Sequence, residues 1–176
     1  NLQPVFETSV ERTVQRVSRD GAEIELAVDE GEVRAGSRSR PLCELELELK
    51  SGAPDALFAL AGECNHTVSL RLGVESKAER GYALLRDRTK LIVKAEPVTL
   101  APGMTVAEGF RTIMGACIRH FRLNEQAVVN RRDADALHQV RVAMRRLRSA
   151  LSLFRDVVAD RALGDLTVRL QRVAPD

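Results

Sequence analysis

The stretch Cys43-Glu44-Leu45-Glu46-Leu47-Glu48-Leu49-Lys50 alternates charged residues with leucine. A period of two is typical of a β-strand, in which successive side chains point to opposite faces of the sheet. The three carboxylates and Lys50 therefore share one face, and the leucines share the other. Because a slip of one residue would exchange the two faces, the register of this strand is tightly specified.

The face that carries Glu44, Glu46 and Glu48 allows two interpretations. One is a solvated strand face, since antiparallel sheets often meet water on one side. The other is a functional charged interior, because glutamate is depleted in strands and neighbouring like charges repel unless cations lie between them. The stretch alone leaves both interpretations open.

The composition is that of a soluble globular protein of one domain or two small ones. The 176 residues are 44% hydrophobic and 30% charged, and no apolar run approaches the ~18 residues that a membrane span needs. Aromatic residues make up only 3%, with no Trp, which makes nucleic acid an unlikely partner. Three scattered cysteines and three scattered histidines fit neither a disulfide framework nor a zinc site, so we expect a reducing, cytoplasmic location.

Charge is distributed unevenly along the chain. Residues 1–97 hold 14 Lys and Arg against 17 Asp and Glu, a balance of −3. Residues 98–176 hold 13 Arg, no Lys and 8 acids, a balance of +5. Cationic charge supplied only by arginine favours planar, bidentate recognition of oxyanions.

The first half of the chain reads mainly as strands. Predicted strands cover residues 6–17, 22–34, the acidic stretch and 68–74. Asp20-Gly21 predicts a turn, Asp29-Glu30-Gly31 a bend into a hairpin, and residues 36–41 a polar loop. Pro54 fits the first turn of a helix over residues 55–64.

The second half reads as helices after a linker over residues 98–104. Thr105-x-x-Glu108 predicts a capping box that opens a long helix, and Asp133 predicts the cap of a second helix to about residue 158. A third helical stretch is predicted over residues 163–173. The apolar stripe of the first helix comprises Val106, Phe110, Ile113, Cys117 and Phe121.

One face of the second predicted helix is basic. His138, Arg141, Arg145 and Arg148 fall within a sector of about 80° at 100° per residue, opposite an apolar face. These cations follow one another with no acid between them, and an anion with several oxygens would relieve their repulsion. A solvated helix face is the other interpretation.

The strand-rich half mixes acids and bases. The acids are Glu23, Glu25, Asp29, Glu44, Glu46 and Glu48, and the bases are Arg12, Arg38, Arg40, Lys50, Lys77 and Arg80. Such a mixture is compatible with structural ion pairs. It also suits a metal–polyphosphate complex, since carboxylates hold a hard divalent ion while Arg and Lys neutralise phosphate oxygens.

Four stretches of the first half resemble a CYTH domain, the fold of the triphosphate tunnel metalloenzymes. They are Phe6-Glu-Thr-Ser-Val-Glu-Arg12-Thr, Ala22-Glu-Ile-Glu-Leu-Ala-Val-Asp-Glu-Gly31-Glu, Pro41-Leu-Cys-Glu-Leu-Glu-Leu-Glu-Leu-Lys-Ser-Gly52 and Ser76-Lys-Ala-Glu-Arg-Gly-Tyr82. In the second half, His138-Gln-Val-Arg-Val-Ala-Met-Arg-Arg-Leu-Arg-Ser-Ala-Leu151 resembles a CHAD domain, an α-helical conserved-histidine domain.

The two resemblances imply an α+β chain: an antiparallel β-tunnel over residues 1–97, followed by an α-helical bundle over residues 105–176. They imply hydrolysis of inorganic triphosphate with Mg²⁺ or Mn²⁺, and binding of inorganic polyphosphate. By the CYTH resemblance the metal ligands are Glu44, Glu46 and Glu48; the catalytic residues Glu25, Asp29 and Lys50; and the phosphate contacts Arg12, Arg40, Lys50, Lys77 and Arg80. The CHAD resemblance assigns polyphosphate to His138, Arg141, Arg145 and Arg148.

The sequence departs from the CYTH pattern at its signature. The opening Glu-x-Glu-x-Lys strand is absent, and the nearest match, Glu23-Ile24-Glu25-Leu26-Ala27, has alanine at the lysine position. We therefore expect that the chain is a fragment in which only the C-terminal half of the tunnel is present. The CHAD region is likewise expected to be truncated. A half tunnel would leave an unpaired sheet edge.

Other functions fit the same residues. One alternative is a protein that binds inorganic polyphosphate without hydrolysing it, because its tunnel is incomplete. Another is a different tunnel activity, adenylyl cyclase or thiamine triphosphatase, since the same residues would bind the triphosphate that these substrates share.

Overall fold

The computed structural model describes residues 3–86 and 92–156. The chain divides into two compact units, Asn1–Thr89 and Lys90–Asp176. The first unit contains the strands β1 (Glu7–Arg19), β2 (Ala22–Ala35) and β3 (Arg38–Ser51) and the helices α1 (Pro54–Thr67) and α2 (Lys77–Leu85). The second contains α3 (Val106–Arg131) and α4 (Ala134–Leu153). The predicted α+β class is thus confirmed.

The described strands form one antiparallel sheet in the order β1-β2-β3. Asp20 and Gly21 both have positive φ, as the predicted two-residue turn requires. The polar loop predicted over residues 36–41 is wrong beyond Gly36-Ser37, because β3 already begins at Arg38. The acidic stretch, residues 43–50, is strand as predicted.

The strand β2 runs without a break through Asp29-Glu30-Gly31, so the predicted hairpin bend is wrong. Gly31 pairs with Val10 on one side and with Leu42 on the other. A Cβ atom at Gly31 would collide with the carbonyl oxygen of Ser9 on β1. The glycine is therefore explained by the close approach of the neighbouring backbone and not by a turn.

The leucine face of the sheet packs against α1. Ile24, 1% exposed, lies at the centre of a core that also contains Ala22, Ala56 and Leu60. Partly buried apolar residues surround this core: Val17, Leu47, Leu49, Leu57 and Cys64. Burial of this face fixes the register that the alternating sequence specifies.

The opposite face of the sheet is charged along one part and apolar near the turn between β2 and β3. There Leu84 of α2 packs on Val33, Ala35 and Leu42. Arg38 also ties the helix to the sheet, since its Nη1 donates to the Leu84 carbonyl oxygen at 2.9 Å. The two helices of this unit therefore cover opposite faces of the sheet.

The strand predicted over residues 68–74 is wrong, because these residues have no regular secondary structure. The helix α1 extends to Thr67, beyond its predicted end, and the Val68 amide caps it by donating to the Cys64 carbonyl oxygen. The Leu70 amide donates to the Asn65 side chain at 3.0 Å. These local hydrogen bonds use backbone donors that a sheet ladder would need.

The second unit confirms both predicted helix starts. Thr105 and Glu108 form a capping box at α3, and Asp133 accepts from the amides of Asp135 and Ala136 at α4. The rings of Phe110 and Phe154 lie 5.2 Å apart, which pairs the start of α3 with the end of α4.

Two details of these helices differ from the sequence expectation. The helix α4 ends at Leu153, short of residue 158, and Val106 is 54% exposed, so the buried stripe of α3 begins at Phe110. The third predicted helix, over residues 163–173, lies outside the described residues.

Residues 92–96 contact the helices of the second unit. Asn124, 1% exposed, accepts from the Val93 amide at 3.0 Å and donates to its carbonyl oxygen at 2.9 Å. His120 Nε2 lies 3.1 Å from the same carbonyl oxygen, and Arg146 donates to the Glu96 carbonyl oxygen at 3.4 Å. Side chains of α3 and α4 therefore fix the segment that precedes them.

Neither these helices nor the others in the described part of the chain offer a long apolar stretch that would cross a bilayer.

Candidate metal and phosphate site

The antiparallel register assembles the charged face from all three strands. Asp29 pairs with Glu44, and Glu25 pairs with Glu48, while Arg12 of β1 lies opposite Asp29. Because side chains alternate along each strand, these residues point to the same side as Glu46. The charged face predicted for β3 is thus completed by residues from β1 and β2.

Three carboxylates meet at the centre of this face, those of Asp29, Glu44 and Glu46. One oxygen from each lies within 4.8 Å of the other two. Asp29 is completely shielded from solvent, Glu44 is half-buried and Glu46 is exposed. We call these three residues the carboxylate cluster.

Arg12 binds two members of the carboxylate cluster. Its Nε and Nη2 donate to Oδ1 and Oδ2 of Asp29, both at 2.6 Å, and Nη2 also donates to Oε2 of Glu46 at 2.6 Å. Hydrogen bonds from Arg12 and then from Lys77 hold the pKa of Asp29 well below its usual range, despite burial. The hydrogen bond to Asp29 raises the pKa of Arg12 in turn.

Lys77, the first residue of α2, contacts all three carboxylates. Its Nζ lies 2.7 Å from Oδ2 of Asp29, 2.5 Å from Oε1 of Glu44 and 2.6 Å from Oε1 of Glu46. Burial alone lowers the pKa of Lys77, but the hydrogen bonds to the carboxylates outweigh burial and raise it. The hydrogen bond from Lys77 also lowers the pKa of Glu46.

The start of α2 fixes where Lys77 and Arg80 lie. Ser76 caps the helix, with Glu79 completing a capping box. Arg80 then lies one turn along, and its Nη2 is 2.7 Å from Oε2 of Glu44. The partial positive charge of a helix N-terminus adds to the attraction between α2 and the carboxylates.

Lys50 forms a second, smaller group with Glu25 and Glu48. Its Nζ lies 3.3 Å from Oε1 of Glu25 and 2.8 Å from Oε2 of Glu48, and the hydrogen bond to Glu48 raises its pKa. A register irregularity at Glu23/Ile24 leaves Lys50 as an extra residue of β3. Glu48, which the CYTH resemblance assigned to the metal, contacts Lys50. The third carboxylate beside those of Glu44 and Glu46 is that of Asp29.

Arg40 lies on the same side of the sheet, near the start of β3. Its Nη1 is 3.8 Å from Oε2 of Glu75, which precedes α2. The structure thus pairs Arg40 with a residue that the sequence did not single out.

The carboxylate cluster fits a hard divalent cation. Carboxylate oxygens are the ligands that Mg²⁺ and Mn²⁺ prefer, and the cluster offers three such groups close together. The neighbouring Arg12, Lys77 and Arg80 suit the oxygens of a phosphate chain. Together the six side chains carry three negative and three positive charges.

In the second unit, α4 presents the predicted basic row. His138, Arg141 and Arg145 are exposed, and Arg148 is half-buried. The opposite side of α4 is buried through Ala143, Ala150 and Leu151, as its apolar pattern predicts.

The sequence did not predict that Asp29 lies beside Glu44, because the register between β2 and β3 was unknown. The two-residue turn after Ala35 sets Asp29 opposite Glu44, and that register was hidden by the loop predicted there. The helix α2 had a readable signal, since Ser76-x-x-Glu79 is the same capping-box pattern that revealed α3.

Comparison with known protein families finds both predicted domains. A CYTH domain matches residues 1–82, and a CHAD domain matches residues 112–175. The CYTH match starts at residue 1 and includes all three strands and the first part of α2. The CYTH match thus lies at the N-terminal end of this chain, and the prediction of a C-terminal half with the first half missing is not supported.

Among curated proteins, the chain is similar to an inorganic triphosphatase of Haemophilus influenzae. The two sequences are 39% identical over 83 residues, which is 47% of this chain and 24% of that protein. The chain thus spans about a quarter of the length of the relative it matches.

Proposed function

We propose that the protein hydrolyses inorganic triphosphate with the aid of Mg²⁺ or Mn²⁺, and that the charged sheet face forms one wall of a substrate tunnel. The observation that carries this proposal is the fully buried Asp29, which shares Lys77 with Glu44 and Glu46. A completely buried carboxylate needs strong partners, and here the partners are also suitable phosphate ligands. The CYTH match over the same residues and the similarity to an inorganic triphosphatase support it.

In this proposal each group of side chains has one task. Asp29, Glu44 and Glu46 hold the divalent ion, which when bound would neutralise charge on the phosphate oxygens. Arg12, Lys77 and Arg80 bind the phosphate chain. Transfer of a phosphoryl group to water requires mainly positioning and charge stabilisation.

The attacking water requires a further group. Glu25 is only 23% exposed and its carboxylate lies beside Lys50. We assign to Glu25 the orientation of this water, with Lys50 holding the carboxylate in place.

The second unit is proposed to bind inorganic polyphosphate through His138, Arg141, Arg145 and Arg148. The exposed guanidinium groups of Arg141 and Arg145, four residues apart on one face, repel one another in the free helix. A chain of phosphates would neutralise several of them at once. The CHAD match over residues 112–175 supports this assignment.

Hydrolysis is tested by phosphate release from inorganic triphosphate with Mg²⁺ or Mn²⁺. We expect release to stop on chelation and to fall at least ~100-fold in Glu46→Gln, because removal of one electrostatic contact at a reacting centre typically costs this much. The matched control is Glu63→Gln, since Glu63 lies on α1 and pairs with Arg19. Unchanged turnover in Glu46→Gln would contradict the metal assignment.

Polyphosphate binding is tested separately with Arg145→Ala. We expect weaker binding and a shallower dependence on salt, because fewer counterions are exchanged when one cation is removed. The control is Arg111→Ala, an exposed arginine on α3. If the protein binds polyphosphate but releases no phosphate from triphosphate, the hydrolase proposal is wrong and the non-enzymatic alternative holds.

A further inference from the structure

Every oxygen of the carboxylate cluster already contacts a cationic side chain. Arg12 contacts both oxygens of Asp29 and Oε2 of Glu46. Arg80 contacts Oε2 of Glu44. The remaining contacts belong to Lys77, which binds Oε1 of both glutamates and shares Oδ2 of Asp29 with Arg12. A divalent ion would therefore compete with these cationic side chains for the same oxygens.

Lys77 occupies the position that suits a metal ion. Its Nζ is 2.5–2.7 Å from one oxygen of each carboxylate, so these three oxygens surround a single point. A divalent ion coordinated by the same three oxygens would lie ~2.0–2.6 Å from each. Two cations in such contact would repel strongly, so ammonium and metal ion exclude each other.

Among Arg12, Lys77 and Arg80, Lys77 contacts all three carboxylates, so its departure frees coordination sites on each of them, whereas the departure of Arg12 would free oxygens of Asp29 and Glu46 only. The departure of Lys77 leaves Oε1 of Glu44 and of Glu46 without a partner and removes one of the two contacts of Oδ2 of Asp29. Loss of Arg80 would release one oxygen of one carboxylate. Lys77 is also the easier group to move, because its ammonium is a point charge on a flexible stem, whereas Arg12 is held by a planar fork.

We propose that Lys77 is an internal counter-ion of the carboxylate cluster, which a divalent ion displaces, and that the displaced ammonium then faces the phosphate chain beside Arg80. This inference rests on the proposed function. It makes metal binding a prerequisite for the full set of phosphate contacts, since Lys77 is engaged by the carboxylates until the ion arrives.

The test is the affinity of the protein for Mn²⁺ alone, measured by calorimetry without triphosphate. Where a competing group occupies a site more than ~90% of the time, its removal strengthens apparent binding at least ~10-fold. We therefore expect Lys77→Met to bind Mn²⁺ at least ~10-fold more tightly than the wild type. The matched control is Arg80→Met, which also removes one positive charge beside the carboxylate cluster but releases a single oxygen. Its gain in Mn²⁺ affinity should be clearly smaller.

The outcomes separate this inference from the proposed function. Equal or weaker Mn²⁺ binding by Lys77→Met, or an equal gain in Arg80→Met, would overturn the inference while leaving the metal site in place. Absence of Mn²⁺ binding in all three proteins would overturn the metal site and the inference together.

A measurement on the wild type guards against misfolding of the variants. A crystal structure with Mn²⁺ should show Lys77 Nζ beyond hydrogen-bond distance of Asp29 and Glu46, with the ion between these carboxylates. If Lys77 keeps all three contacts while the ion is bound nearby, the inference is wrong. Lys77→Gln provides a second variant of similar length for the affinity measurement.

Discussion

Arg12 holds Asp29 in a two-point fork, in which the Nε–Oδ1 and Nη2–Oδ2 distances are both 2.6 Å. The two residues lie directly opposite each other on β1 and β2. Asp29 is completely shielded from solvent, while 44% of the Arg12 side chain is exposed. The buried negative charge of Asp29 on β2 thus depends on the planar guanidinium group of Arg12 on β1.

This fork predicts that Arg12→Lys destabilises the first unit although the charge is kept. A lysine ammonium lacks the planar pair of donors, so the Asp29 carboxylate would lose one of its two parallel hydrogen bonds. We expect the melting temperature at pH 7 to fall by several degrees. Arg34→Lys is the control, since Arg34 pairs with Glu32 at an exposed position and its replacement should change the melting temperature little. Equal effects of both substitutions would contradict the role of the fork.

The carboxylate cluster also predicts how stability depends on pH in the presence of a chelator. The pKa values of Asp29 and Glu46 are lowered in the folded protein by hydrogen bonds from Arg12 and Lys77. In an unfolded chain these groups titrate at about 3.9 and 4.3, so below ~pH 5 the unfolded chain binds more protons than the folded one. The stability that they contribute is therefore complete above ~pH 5 and is lost as pH falls toward the folded pKa values.

Denaturant unfolding between pH 6 and pH 3, roughly the range in which carboxyl groups titrate, measures this loss. We expect the free energy of unfolding to fall less steeply with decreasing pH in Asp29→Asn than in the wild type. The reason is that the variant has one fewer carboxyl group with a lowered pKa. Parallel curves for the two proteins would show that Asp29 does not contribute to the acid sensitivity.

The alternating stretch of β3 predicted much of the fold, because a period of two assigns each residue of the strand to one face of the sheet or the other. From it the sequence predicts the leucine core, in which Leu47 and Leu49 pack near Ile24, and the charged face opposite. The helix starts at Thr105 and Asp133 were also readable, since their side chains cap the backbone locally. Such signals act within a few residues and need no knowledge of the tertiary structure.

The errors arise where the decisive contact is distant in sequence. Gly31 resembles a turn residue until the approach of Ser9 on the neighbouring strand is known. Asp29 joins Glu44 and Glu46 only through the register of two strands and through α2, whose Lys77 lies 31 positions after Glu46. Residues 68–74 have a strand-like composition, but the backbone amides of Val68 and Leu70 donate to Cys64 and Asn65 of α1 and not to a neighbouring strand.

Packing on the leucine face predicts a large effect of Ile24→Ala. Ile24 is 1% exposed and belongs to the same buried cluster as Ala56 and Leu60 of α1, so its truncation removes apolar contacts and leaves a cavity. We expect a loss of ~2–5 kcal/mol in the free energy of unfolding. The control is Val14→Ala on β1, where 48% exposure predicts a change within ~0.5 kcal/mol. Comparable losses in the two variants would show that this face is not the core of the first unit.

The cap of α4 predicts a moderate and separable effect in the second unit. Oδ1 of Asp133 accepts from the amides of Asp135 and Ala136, both at 3.0 Å, so Asp133→Ala would leave two amides at the helix start without this partner. Loss of an N-cap side chain typically costs ~1 kcal/mol. We expect this loss in the unfolding of the second unit, followed by helical circular dichroism, with Ser149→Ala on an exposed turn of α4 as the control.

Since Asp133 lies at the start of the helix that carries His138 and Arg141, weaker polyphosphate binding should accompany the loss at temperatures where α4 begins to fray. Full binding by a measurably destabilised variant at those temperatures would show that the basic row does not require an intact α4.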